Sequence, residues 1–245
     1  MKVNVLDDSG AVARAVARGV ADALRVKPGL VIGLASGRTP VEAYAELRRM
    51  YADGDGDWSR ASTFNLDEFA GIAAYQPCSF RQFMQRHLFC GVNVDPSRIY
   101  FLNGVARDLD AECDRYENAI RRAGGIDLVI LGIGRNGHIG FNEPGDELAV
   151  RTHRVTLLDS TRRDNAPLFG DDLAEVPAQA LTMGMGTILQ ARRIVLVATG
   201  AKKAECIAQT VNGVITTRVP ASVLQVHRDV EVLLDREAAA RIRPA

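Results

Sequence analysis

The chain has no surplus of charge. Its 245 residues carry 30 Lys and Arg against 30 Asp and Glu, a formal net charge of zero. A general binder of nucleic acid or of an anionic membrane needs a basic surface or tail, and neither is available. A local basic pocket for a small anion remains compatible with this balance. Long apolar runs are missing too. None approaches the roughly 20 residues of a membrane span. The opening MKVNVLDDSG has one Lys and then acids, without the apolar stretch of a secretory signal. The four cysteines, Cys78, Cys90, Cys113 and Cys206, form no CxxC pair, which argues against a zinc ribbon or a thioredoxin-type site. Reduced thiols in a cytoplasmic protein are the simpler expectation.

What is present is an alternation of helical and strand patterns. Apolar residues recur at helical spacing over 11–26, 41–51, 80–89, 110–125, around 183–191 and over 202–213. Short apolar runs at 30–35, 62–69, 98–102, 126–134, 193–199 and 229–235 read as strands. Such alternation predicts an α/β fold: a single-domain, Rossmann-like, mostly parallel sheet covered by helices on both faces. No linker or repeat interrupts residues 1–245, so one domain is the simplest expectation. Ligands of such sheets bind beyond the carboxyl ends of the strands.

Four polar clusters follow predicted strands. The first is GLASGRTP, 33–40. Its glycines let backbone N–H groups approach an anion, a helix N-terminus follows, and Arg38 adds positive charge. It lacks the GK[ST] ending of a P-loop and the spacing of a dinucleotide fingerprint, which favours a small phosphate ester over a nucleotide. Ordinary turn chemistry explains all of its residues except Arg38. The second is FNLDEF, 64–69. Its Asp67 or Glu68 can serve as a base, although a solvated acid pair or a helix cap explains the stretch equally well. The third, GRNGHIGFNEPG, leaves the most apolar strand. His138 is the side chain there that changes charge near neutral pH, and Glu143 can orient it. A metal site needs more ligands than these two. The fourth is ATGAKKAE, 198–205. Its Lys202 and Lys203 oppose a helix dipole unless an anion offsets them. Together the clusters describe a pocket for a phosphorylated metabolite, with acid–base groups, no metal and no cofactor. That chemistry suits proton transfer beside a carbonyl.

GLASGRTP, FNLDEF, GIGRNGHIGFNEP, ALTMGMGTIL and GAKKAE resemble the glucosamine-6-phosphate deaminase/isomerase family, and the resemblance runs through nearly the whole chain. It implies conversion of glucosamine 6-phosphate and water to fructose 6-phosphate and ammonia, in amino sugar catabolism. It implies that Asp67 moves a proton between C2 and C1, and that His138 opens the pyranose ring with Glu143 as its partner. Ser36, Gly37, Arg38, Thr39 and Lys203 stand where the phosphate is held. Glycine N–H groups near 134–137 are candidate donors to O1 of the enediol.

The chain departs from that pattern in three respects. Asn136 replaces the Asp that many members carry, so the triad becomes Asn136–His138–Glu143, with Asn136 expected to orient the ring. Pro167 stands where an Arg usually contacts the phosphate, and Arg38, Arg162 and Arg163 are the candidate replacements. Asp146 and Glu147 follow the signature, where allosteric members bind an acetylated sugar phosphate, so no such activation is expected. The alternatives are the galactosamine 6-phosphate epimer as substrate, 6-phosphogluconolactonase activity, and a non-catalytic sugar-phosphate sensor. A homo-oligomer is possible but is not derivable from the chain.

Overall fold

The structure, a computed structural model, describes residues 1–243. Its first helix, α1 (Ser9–Val26), begins where the Asp8 side chain accepts the Ala11 N–H, and it buries Val12, Val16, Val20 and Leu24 in one stripe. That is the spacing of a helix with one face on a core. The remaining helices are α2 (Val41–Ala52), α3 (Phe80–His87), α4 (Leu109–Arg122), α5 (Asp159–Asn165), α6 (Met185–Leu189) and α7 (Ala204–Asn212).

The strands are β1 (Lys2–Leu6), β2 (Val31–Leu34), β3 (Ser62–Asn65), β4 (Asp67–Phe69), β5 (Ile99–Tyr100), β6 (Leu128–Leu131), β7 (His153–Thr156), β8 (Gln179–Thr182), β9 (Arg193–Ala198) and β10 (Val230–Asp235). Seven of them form one sheet in the order β1-β10-β9-β6-β2-β3-β5, and every pairing in it is parallel. A small antiparallel sheet, β4-β8-β7, stands beside it.

Side chains of the large sheet alternate between two cores. On one face Leu128, Ile130, Val195, Val197 and Leu233 pack with α1, α2 and α3. On the other, Val129, Leu131, Ile194, Leu196, Val232 and Leu234 pack with α4, α6 and α7. A strand buried on both faces has no polar side, which is why β2 and β6 read as unbroken apolar runs. The architecture is the predicted one: Rossmann-like, mostly parallel and covered on both faces.

The differences lie where local pattern is weak. The predicted strand 62–69 breaks at Leu66. Its N–H still bonds to Leu34 O in the large sheet, while Asp67 to Phe69 turn away and pair with β8. The strand expected over 98–102 shortens to Ile99–Tyr100. β1, β7, β8 and α5 carry no long apolar run, and the three strands are held by pairing with distant segments.

Candidate active site

The four polar clusters leave β2, β3, β6 and β9. These strands are consecutive neighbours in the sheet, so their carboxyl ends line up as one edge. The order in which strands are added reverses between β2 and β6, which stay parallel: β3 and β5 extend the sheet one way, β9 and β10 the other. That crevice is where an open α/β sheet binds ligands. A cavity of about 170 Å³ opens there, bounded by residues 35–40, Asp67, Gly134, His138, Asp164 and Lys203 among others.

The anion loop is built from below. Tyr44, buried on α2, donates its hydroxyl to Ala35 O at 2.5 Å, and Asn65 Nδ2 donates to Ser36 Oγ at 2.7 Å. Gly37 adopts φ 113°, in the region that favours glycine. Lys203 comes from the β9 exit, and its Nζ donates to Ile133 O at 2.5 Å. Burial pushes the Lys203 amine below its ordinary range, and the charges of Arg135 and Arg38 push the same way. Ser36, Gly37, Arg38, Thr39 and Lys203 therefore all border the cavity. Lys202 is exposed and faces a neighbouring cleft.

The acid pair divides by role. Glu68 accepts the N–H groups of Phe69, Phe80 and Arg81, at 3.0, 3.0 and 3.1 Å. It caps the start of α3, so the helix-cap explanation holds for this acid. Burial nevertheless lifts its carboxyl to about 7. Asp67 borders the cavity, is 6% exposed, and has one oxygen, Oδ1, with no hydrogen-bond partner. Burial, and then the charge of Glu68, raise the Asp67 carboxyl well above its ordinary range. A buried carboxylate without donors holds its negative charge weakly and is a correspondingly stronger base.

The glycines of the third cluster fold its loop back on itself. Gly134 N–H donates to His138 O at 2.9 Å and Gly137 N–H to Gly134 O at 3.0 Å. These two N–H groups are committed to the turn and are not the free oxyanion donors expected of them. The turn lays the imidazole over Gly134, where a Cβ would come within 2.3 Å of the ring. His138 Nδ1 lies 3.4 Å from Glu143 Oε2, and Thr161 Oγ1 lies 3.5 Å from the same nitrogen.

Asn136 takes a different place from the one expected. Its Nδ2 donates to Glu143 Oε2 at 3.0 Å, and its Oδ1 accepts the His138 backbone N–H at 3.2 Å. It holds the loop and the carboxylate rather than the ring. Leu158 N–H donates to the other Glu143 oxygen at 3.3 Å. Burial works to raise the Glu143 carboxyl, but hydrogen bonds and charge from His138, with help from Thr161 and Asn136, hold it below its usual range. Glu143 is thus an anion behind the imidazole.

Of the candidates to replace an Arg at 167, Arg162 is excluded by its own bonds. It donates to Leu173 O and Val176 O and staples the following loop. Arg163 and Pro167 are exposed and do not border the cavity, whereas Arg38 does. Asp164 and Asn165, neither anticipated, border it from the end of α5. Arg135 grips Asp164 with two nitrogens, at 2.5 and 3.1 Å. The strand-exit rule does not reach these residues, because α5 belongs to the segment beside the small sheet. Among the described residues no group of three or more His, Cys, Asp or Glu is placed to hold a metal ion.

Residues 8–233 match the family model described as glucosamine-6-phosphate isomerases/6-phosphogluconolactonase. The chain belongs to this family. Within it, the chain is 46% identical to the glucosamine-6-phosphate deaminase of Halothermothrix orenii, over 98% of this chain and 99% of that one. It is 42% identical to the enzyme of that name from Clostridium perfringens, over 99% and 100%. A solved monomeric glucosamine-6-phosphate deaminase superposes with a TM-score of 0.95, at 44% identity, over 98% of this chain and 100% of its own. The 6-phosphogluconolactonase of Thermotoga maritima superposes with a TM-score of 0.73 at 20% identity, over 96% and 98%. At that identity the likeness is one of fold.

Proposed function

We propose that this family member is a deaminating aldose–ketose isomerase that converts glucosamine 6-phosphate and water to fructose 6-phosphate and ammonia. One observation carries the reading. A buried carboxylate with an unpartnered oxygen, Asp67, shares a cavity with a carboxylate-backed imidazole, His138, and with the cations Arg38 and Lys203. The substrate needs these three things: a base for C2, a proton carrier for the ring, and an anchor for the phosphate. Near full-length identities of 42–46% to glucosamine-6-phosphate deaminases support the same reading.

The phosphate sits against Ser36, Gly37, Arg38, Thr39 and Lys203. His138, with Glu143 stabilising its protonated form, takes the O1 hydroxyl proton and returns it to the ring oxygen, so the pyranose opens to an aldehyde. The carbonyl acidifies C2–H, and Asp67 removes that proton and delivers it to C1. An amine proton passes to O1 as the imine forms at C2, and water hydrolyses that imine to the ketose with loss of ammonia. The raised basicity of Asp67 suits a proton so weakly acidic. Asn136 serves by fixing Glu143.

The enzyme so described is one domain over residues 1–245, needs no cofactor or metal, and works in the cytoplasm. Its partner is a small amino sugar phosphate rather than nucleic acid or membrane. Among the described residues no helix is long and apolar enough to cross a membrane. The test measures ammonia and ketose 6-phosphate released from glucosamine 6-phosphate and from galactosamine 6-phosphate. Turnover of the gluco epimer is expected; turnover of neither rejects the reading.

A further inference from the structure

Thr161 is an odd residue in its helix. It sits in the first turn of α5 and is only 2% exposed. A buried hydroxyl costs stability unless it is hydrogen-bonded. A threonine inside a helix ordinarily bonds the carbonyl one turn back. Thr210 in α7 does so, donating to Cys206 O at 2.7 Å. Thr161 makes no such bond. Its hydroxyl lies 3.5 Å from His138 Nδ1. The same nitrogen faces Glu143 Oε2 at 3.4 Å. The hydroxyl also helps hold the Glu143 carboxyl low.

Nδ1 therefore has two polar neighbours, drawn from two parts of the chain. Glu143 belongs to the loop of the imidazole itself and is tied to the start of α5 by the Leu158 N–H. Thr161 belongs to α5, which Arg162 anchors to the loop around Val176. A contact from that helix adds a restraint on the ring from outside its own loop.

We propose that Thr161 is a positioning residue for His138: its hydroxyl, set against Nδ1, fixes the imidazole so that Nε2 faces the cavity. With Nδ1 occupied on the protein side, the proton carried by Nε2 is the one that reaches the substrate ring. This rests on the function proposed above, and it assigns the orientation of the imidazole jointly to α5 and to the signature loop.

Thr161→Val removes the hydroxyl and keeps the branched shape, while Thr161→Ser keeps the hydroxyl and loses a methyl. The valine variant is expected to lose at least about tenfold in kcat, the loss of one hydrogen bond to a charged group, with KM within about twofold. The serine variant is expected to recover most of that rate. Nitrogen-15 spectra of the imidazoles, taken without substrate, should show His138 of the unaltered chain protonated at Nδ1 near neutral pH, and a shifted tautomer balance in the valine variant. Should valine not fold, Thr161→Ala takes its place in both measurements. Equal kcat in the valine and unaltered chains, equal losses in valine and serine, or unchanged His138 spectra would each overturn the role. Absence of turnover in the unaltered chain would count against the enzyme reading instead, and the spectra would still decide the contact.

Discussion

Gly134→Ala separates the chemistry of His138 from the stability of the fold. The added Cβ would stand 2.3 Å from His138 Cε1 and 2.5 Å from both ring nitrogens. Ordinary contact begins at 3.4 Å, so the ring must retreat by about 1 Å, a displacement that costs on the order of 100-fold in rate when a catalytic group is misplaced. The backbone tolerates the change, because Gly134 is not among the glycines with positive φ. The atoms that must give way are the end of one side chain bordering an open cavity. Replacing Gly by Ala at a compatible site even stabilises by about 0.4–1 kcal/mol through the unfolded chain. The expected result is an unchanged or slightly higher Tm, a kcat lower by about 100-fold, and a higher KM as the ring enters the substrate space. Steady-state assays and thermal melts on the same preparation measure both. A kcat within about threefold of the original, at full stability, would refute the placement of the ring over Gly134 as the working geometry.

Other expectations concern the carboxyl groups. Asp67→Asn cannot take a proton, so kcat should fall at least about 100-fold with KM nearly unchanged; full activity would reject Asp67 as the base. The same variant tests the linkage. Burial raises the Asp67 carboxyl in the folded state, so stability is lost as pH rises from the unfolded value of about 3.9 through the raised value. Asp67→Asn escapes that loss and should melt above the original chain at pH 7, with the gap closing toward pH 4. Asn136→Asp replaces the donor to Glu143 with a second carboxyl about 3.0 Å away; like charges that close repel, so kcat should fall, and an unchanged kcat would reject Asn136 as the residue that fixes Glu143. N-acetylglucosamine 6-phosphate should leave the apparent KM unchanged, because Glu147 is exposed and the cation paired there, Arg218, is offset by Asp146, so the segment has no surplus positive charge for a phosphate; a large fall in KM would overturn that.

Much of the fold was legible because parallel strands buried on both faces leave a strong local signature. LVIL at 128–131 and IVLVA at 194–198 are apolar throughout, and an 18-residue helix such as α1 shows its stripe in five turns. β7 and β8 left little trace. His153–Thr156 is an alternating, half-exposed strand at the edge of a three-stranded sheet, held by pairing with Gln179–Thr182, a distant stretch of chain. The break at Leu66 was hidden for a related reason: Asp67–Phe69 is as buried as the strand before it, and only the partner changes.

The sequence by itself determined the chemical inventory: an anion loop with Arg38, an acid at Asp67, an imidazole among glycines with Glu143 close behind, and a lysine at 203. Residue type, spacing and position after a strand were enough for that, since strand exits share one edge of a parallel sheet. Tertiary structure decided how the inventory is wired. It made Glu68 a helix cap and left Asp67 with an unpartnered oxygen. It turned Asn136 toward Glu143 rather than the ring, used up the Gly134 and Gly137 N–H groups in a turn, and brought Thr161 and Asp164 to the site on a helix with no apolar pattern of its own. The physical reason is range. Spacing along the chain places residues on the same edge, but the partner of a donor or acceptor depends on which distant segment packs within about 3 Å of it.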